Sequence, residues 1–229
     1  MFTLLSAAIA PGLSLMSFFY LKDRFDHDPI SMIIRTFIMG ALLVFPIMFI
    51  QYAFETEGVA QAAWSQSFLL SGSLEEFFKW FIFLYVVYKH TSFNGHYDGI
   101  LYGVSISLGF ATIENILYLL ANGIEVAVGR AFFPVSSHAL FGVLMGYYMG
   151  KAKTSDLPSK KSKLLVVSLL LPIILHGFYD LILEMWSTYW IYILTPFMIL
   201  LWLLALRKVK KANEYRNKVV PIEKKKWNA

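Results

Sequence analysis

The chain has 229 residues, 58% of them hydrophobic and only 15% charged, with a mean hydropathy of +0.59. Soluble domains carry roughly 25% charged residues, so a water-soluble fold is excluded. The absence of cysteine removes disulfides, thiolate metal sites and cysteine nucleophiles. The net charge of +5 comes from basic residues between apolar stretches and near the C-terminus, a pattern of membrane orientation and not of nucleic-acid binding.

Seven apolar stretches are long enough, or nearly so, to cross a hydrocarbon core about 30 Å thick at ~1.5 Å per helical residue. They cover 2–21, 32–54, 66–88, 99–121, 132–150, 163–183 and 188–206. The prediction is an all-α, polytopic transmembrane bundle of about seven spans, forming one domain over 1–206. A basic cytoplasmic tail over 207–229 is expected to be solvated near anionic lipid headgroups. The first stretch contains SAAIAPG, which resembles a small-residue cleavage site. It lacks a basic n-region and its apolar run continues to Tyr20-Leu21, so it reads as a retained span.

The connections alternate in charge. Of the 20 Lys and Arg residues, 18 fall in the first, third and fifth connections and the tail, with Arg35 and Lys163 at span edges counted in the adjoining connections, leaving Lys79 within a span and Arg130 on the opposite side. The positive-inside rule then predicts an outside N-terminus and a cytoplasmic C-terminus.

That orientation assigns a depth to each polar residue. The third span, SGSLEEFFKWFIFLYVVY, carries Glu75, Glu76 and Lys79. A charge at mid-membrane costs roughly 2.5–3.5 kcal/mol, so three together require partners or a purpose. Glu75 lies four residues and Glu76 three residues before Lys79, which lets one lysine serve two carboxylates. The fourth span adds Glu114 and Asn115, the fifth His138, and the sixth His176 with Asp180 one helical turn on, placed to orient the imidazole. Gly177 between them permits close helix approach. These groups fall roughly 5–14 Å below the outer face by helical rise. Four helices thus deliver polar groups to one layer that opens outward, and the inner half carries no comparable set. Glu184 reads as interfacial, and Ser136 and Ser137 as partners for backbone groups near a helix start after Pro134. Gly103, Gly109, Gly142, Gly146 and Gly150 mark tight helix contacts.

The chain lacks HExxH, GxSxG, Walker and dinucleotide-binding motifs. Two glutamates with histidines suit activation of a water for amide hydrolysis. The same residue types also build proton-coupled transporters, and a non-catalytic membrane scaffold is a further alternative.

EEFFK at 75–79, FATIENILY at 110–118, SSHALFG at 136–142 and HGFYD at 176–180 stand in order at membrane-compatible spacing. Together with FYLKDRFDHDP near the N-terminus and HYDGILYG, they closely resemble the PrsW family of intramembrane proteases. That family lies within the CPBP superfamily, which includes the CAAX prenyl endopeptidases. The resemblance spans nearly the whole chain. It implies extracytoplasmic, site-1 cleavage of a membrane-bound anti-sigma factor in a bacterial envelope-stress response, at the plasma membrane. By resemblance to the CAAX enzymes, Glu75 is the water-activating base, with Glu76 and a histidine, His138 or His176, supporting it. His176 and the residue four later would support the oxyanion. The CAAX enzymes carry Arg and Asn where this chain has Lys79 and Asp180. An ionised Asp180 cannot donate to an oxyanion, so it is assigned to orienting His176, leaving Asn115 as a candidate donor. Lys79 and Glu114 complete the supporting set. No metal or other cofactor is expected; the alternative is a catalytic zinc held by Glu76, His138 and His176. The expected partners are the anti-sigma factor and the bilayer, without nucleic acid.

Overall fold

The computed structural model describes residues 1–23, 29–186 and 188–219. Seven helices account for the described chain: α1 (Phe2–Leu21), α2 (Ile30–Thr56), α3 (63–87), α4 (His96–Asn122), α5 (Ile124–Lys153), α6 (Pro158–Met185) and α7 (Trp190–Val219). Six of them, all but α3, are long and apolar enough to cross a membrane. Helix α3 is the one that carries Glu75, Glu76 and Lys79. Large apolar side chains such as Phe49, Tyr85 and Tyr192 point outward and are more than two-thirds exposed, as a lipid-facing surface requires.

Helix α4 is the axis of the bundle. Its residues from His96 to Thr112 are all buried, and α1, α2 and α5 pack along it. Glycine makes this possible. A Cβ on Gly146 would overlap the Gly99 carbonyl, one on Gly103 the Gly142 carbonyl, and one on Gly109 the Phe37 carbonyl. The backbones of α4 and α5 therefore touch directly, the close approach that small residues provide between membrane helices.

Two helices depart from regular α geometry beside the polar layer. In α3, π-helical turns over Gln66–Ser73 and Phe83–Val87 flank the α-helical Leu74–Ile82. In α5 a π-helical turn over Ala131–Val135 surrounds Pro134, which has no N–H to donate. The Ser136 hydroxyl donates to the carbonyls of Ala131 (2.9 Å) and Phe132 (2.7 Å), and Ser137 donates to that of Pro134 (2.8 Å). These serines satisfy backbone groups as expected, but inside a helix that begins at Ile124 and not at its start.

The two ends of the bundle differ. At the Asn122 end, Gln51 of α2 donates to the Leu70 carbonyl of α3 (3.2 Å), and Ser67 of α3 donates to Glu184 of α6 (3.2 Å). At the Asp98 end, Arg216 of α7 pairs with Asp98 (2.9 Å) and Asp23 (3.3 Å), while Tyr215 stacks on His96 at 3.8 Å. Two expectations are corrected here. The segment after 206 is not a free tail at its start, because α7 runs on to Val219 with Val209 and Ala212 buried; residues 220–229 lie outside the described residues, as do 24–28 of the N-terminal motif. The far half of the bundle does carry a polar set, the buried Asp23 and Asp98 with the part-buried Arg216 between them. Hydropathy does not reveal it, because Asp98 precedes the apolar run and Arg216 lies in the basic segment.

Gly146→Val is expected to break the α4–α5 contact and lower the melting temperature in detergent, at the overpacking cost of roughly 1–3 kcal/mol or more. Gly129→Ala, where an added Cβ meets nothing within 4 Å, should leave melting unchanged or slightly raised.

Candidate active site

The ammonium of Lys79 is completely buried and makes three short contacts. They run to Glu75 Oε2 (3.1 Å), Glu76 Oε1 (2.9 Å) and His138 Nδ1 (3.2 Å). An ammonium has three N–H donors and no acceptor, so each N–H has one partner here. The Phe110 ring lies 4.1 Å away and adds a cation–π contact. Helical spacing puts both carboxylates within reach of the lysine; α5 supplies the third partner.

Both histidines have partners at each ring nitrogen. Nδ1 of His176 meets Glu76 Oε1 at 3.0 Å, while its Nε2 lies 3.4 Å from Asp180 Oδ2 and 3.9 Å from Glu75 Oε2. His138 turns Nδ1 to Lys79 and Nε2 to Glu114 Oε2 at 3.0 Å. The imidazoles meet edge to face at 5.1 Å, and Phe141 stacks on His176 at 5.1 Å. Close contact of Gly72 with the α6 backbone at Ile173 and Gly177 sets α3 against α6, bringing the glutamates to His176.

Of the residues singled out by sequence, Glu75, Glu76, Lys79, His138, His176, Glu114 and Asp180 come together in one network. Asn115 joins its edge as a strut: its amide donates to the Ala8 carbonyl (2.8 Å) and its Oδ1 accepts from Arg130 Nε (2.8 Å). One of its two amide N–H groups is taken up by α1 and the side chain is fully buried, the place of a supporting residue. Glu184 lies outside the network, bonded to Ser67. Arg130 was missed. It is buried on α5, bonds Glu114 Oε1 at 3.0 Å and stands 3.9 Å over the Tyr118 ring. The available signal was its isolation as the one basic residue on its side.

A cavity of about 410 Å³ runs from the Asn122 end toward the network. Glu75 and Glu114 line it with Ser71 and Phe110, whereas Glu76, fully buried, does not. A second cavity of about 600 Å³, on the other side of Tyr118, is lined by Arg130, Phe133, Tyr179 and Trp190.

Donor atoms of Glu75, Glu76, His138 and His176 lie within 4.8 Å of one another. Oxygen and nitrogen donors of this kind suit zinc, and each histidine has a carboxylate on its second nitrogen, the usual outer support of a metal-binding imidazole. Glu76 Oε2 is buried without a hydrogen-bond partner. These residues fit a divalent ion, with the Lys79 ammonium standing among the same donors.

Comparison with known proteins shows the family. Residues 28–205 match the family described as PrsW family intramembrane metalloprotease. The chain belongs to the PrsW family. It is 55% identical to protease PrsW of Bacillus subtilis over 93% of this chain and 96% of that protein, and 57% identical to protease PrsW of Oceanobacillus iheyensis over 93% and 98%. A more distant relative, protease PrsW of Clostridioides difficile, is 33% identical over 93% and 92%. No solved structure matches the chain. PrsW membership and six membrane-length helices make this a multi-pass intramembrane protease of the cell membrane, which sets aside the transporter and scaffold alternatives.

Lys79→Met removes the ammonium that pairs with both buried glutamates. Breaking a buried ion pair typically costs about 3–5 kcal/mol, so this variant should melt well below the wild type in detergent. Glu184→Gln, at the partly exposed Ser67 contact, should melt as the wild type does.

Proposed function

We propose that Glu75 is the general base of peptide-bond hydrolysis in this site. The observation that carries the reading is the asymmetry of the glutamate pair: Glu75 lines the cavity, while Glu76 is sealed behind it between Lys79 and His176. Glu75 Oε2 is engaged by Lys79, which leaves Oε1 to take a proton from a water in the cavity. The hydroxide attacks the scissile carbonyl carbon, and the tetrahedral oxyanion is stabilised by His176, whose Nε2 is the nearest ring nitrogen to Glu75 and is oriented by Asp180. Glu75 returns the proton to the amide nitrogen as the C–N bond breaks. Glu76 and Lys79 hold His176 and Glu75 in register.

A zinc-assisted reaction is the second reading, favoured by the carboxylate-backed histidines and the metalloprotease description of the family. Glu75, Glu76, His138 and His176 would hold the ion, which would supply Lewis-acid polarisation of the scissile carbonyl.

The substrate in this proposal is a membrane-bound anti-sigma factor, cut on its extracytoplasmic side as the first step of an envelope-stress response. Charge supports the side: the basic connections, with Lys89, Lys151, Lys153, Lys160, Lys161 and Lys163, gather at the Asp98 end, and the catalytic cavity opens at the opposite one. An N-terminus outside and a C-terminus in the cytoplasm follow. A helix hides its own amides, so the segment to be cut must be unwound where it meets Glu75.

Glu75→Gln and His176→Ala are expected to abolish cleavage of the co-expressed anti-sigma factor while the protein still accumulates in the membrane. Cleavage at wild-type rate by Glu75→Gln would overturn the assignment of the base. Metal analysis of the purified protein, with cleavage measured after exhaustive chelation, separates the two readings: retained activity without zinc supports the metal-free one, and loss restored by zinc supports the other.

A further inference from the structure

We propose that Arg130 is a positioning residue for the reaction: it holds Glu114, the acceptor that together with Lys79 fixes the His138 tautomer with a bare Nδ1 toward the catalytic cluster. The inference rests on the reading that the Glu75 cluster performs the hydrolysis, but its geometry is independent of whether an ammonium or a metal ion faces His138.

The hydrogen-bond arithmetic leads there. Lys79 Nζ can only donate, so His138 Nδ1, 3.2 Å away, accepts and carries no proton. The neutral ring then bears its proton on Nε2, and that N–H must find an acceptor in a buried layer. Glu114 Oε2, at 3.0 Å, is the acceptor. The reverse tautomer would set an N–H against the Lys79 ammonium and a lone pair against the carboxylate, two repulsive contacts in place of two bonds.

Glu114 does not hold this position unaided. Its side chain is one-third exposed and lines the 410 Å³ cavity, where water competes for the carboxylate. Arg130 Nη2 fixes Oε1 at 3.0 Å and leaves Oε2 turned to His138. Arg130 is fixed in turn by its Nε bond to Asn115 Oδ1 (2.8 Å) and by stacking over Tyr118, and Asn115 is tied to the Ala8 carbonyl of α1. Arginine suits the place because its planar fork bonds two acceptors in a set geometry, which a lysine does not. Arg130 lines the second cavity and not the one that reaches Glu75, so it acts through Glu114 without touching substrate there.

The test uses the full-length protein with ¹⁵N-labelled histidine in detergent micelles, together with cleavage of the co-expressed anti-sigma factor and its kinetics after reconstitution. In the wild type, the His138 ring, assigned by comparison with His138→Gln, should show a protonated Nε2 and a bare Nδ1. Arg130→Gln should give a mixture of tautomers and lower kcat about 10- to 100-fold with KM unchanged, the scale expected when a catalytic group is misplaced by about 1 Å. Arg130→Lys should restore the single tautomer and part of kcat, since an ammonium can still reach Glu114. Adding Arg130→Gln to Glu114→Gln should cost nothing further. If Arg130→Gln fails to accumulate, the Arg130→Lys spectrum and the Glu114→Gln spectrum, in which the tautomers should mix, carry the test. A single wild-type tautomer in Arg130→Gln or in Glu114→Gln, or a kcat loss without tautomer change, overturns the proposal and leaves Arg130 a structural strut. The spectra need no activity, so absence of cleavage by the wild type would sink the proposed function while the tautomer result stands separately.

Discussion

The site depends on one buried ammonium. Lys79 has no exposure to solvent, and moving such a charge into a low-dielectric interior is expensive unless its hydrogen bonds are replaced one for one. They are, by Glu75, Glu76 and His138, with Phe110 against the remaining face. Each partner then needs its own support: Glu76 from His176, His138 from Glu114, Glu114 from Arg130, and Arg130 from Asn115. The polar layer is a chain of such requirements, ending at the main-chain carbonyl of Ala8. A chain of this kind gives catalytic groups a single arrangement, because any member that turns away leaves its neighbour unpaired in an apolar bundle.

That chain links α1, α3, α4, α5 and α6, so it requires a bundle whose helices cannot slide. The glycine contacts along α4 supply this constraint. Where the carbonyl of Gly99 fills the space a Cβ on Gly146 would need, register between α4 and α5 is set to within an atom. Gly72 and Gly177 act similarly between α3 and α6. The π-helical turns before Leu74 and before Ser136 widen the helices just ahead of Glu75 and His138, the kind of irregularity often found beside functional groups. At the opposite end, Arg216 with Asp98 and Asp23 ties α7 to α4 and to the end of α1, away from the chemistry.

Much of this was legible in the chain. Composition alone dictates a membrane bundle, because this much apolar surface cannot be kept from water otherwise. Helical periodicity pairs Glu75 and Glu76 with Lys79 and His176 with Asp180, since residues three and four apart share a face whatever the tertiary structure. Ordered motifs with those spacings identify the PrsW family and its protease chemistry. The spacing also shows which helices must meet, because four unrelated spans cannot each bear a buried charge alone.

Contacts between helices were decided only by the tertiary structure. Glu75 and Glu76 are adjacent and chemically identical, and no local rule separates them; the cavity between α2, α3 and α4 makes one a wall residue and buries the other. Asn115 and Arg130 are 15 residues apart on different helices, so their bond, and with it the place of Asn115 as a strut between α1 and α5, has no periodic signature. The extension of α7 beyond residue 206 was hidden because its lysines read as a solvated segment, whereas burial of Val209 and Ala212 depends on the neighbouring helices. The sequence by itself determined the bundle, the family and the pairs within each helix, because these follow from local geometry and hydropathy. The division of labour among the polar residues came from packing, which alone decides which atoms meet water and which meet one another.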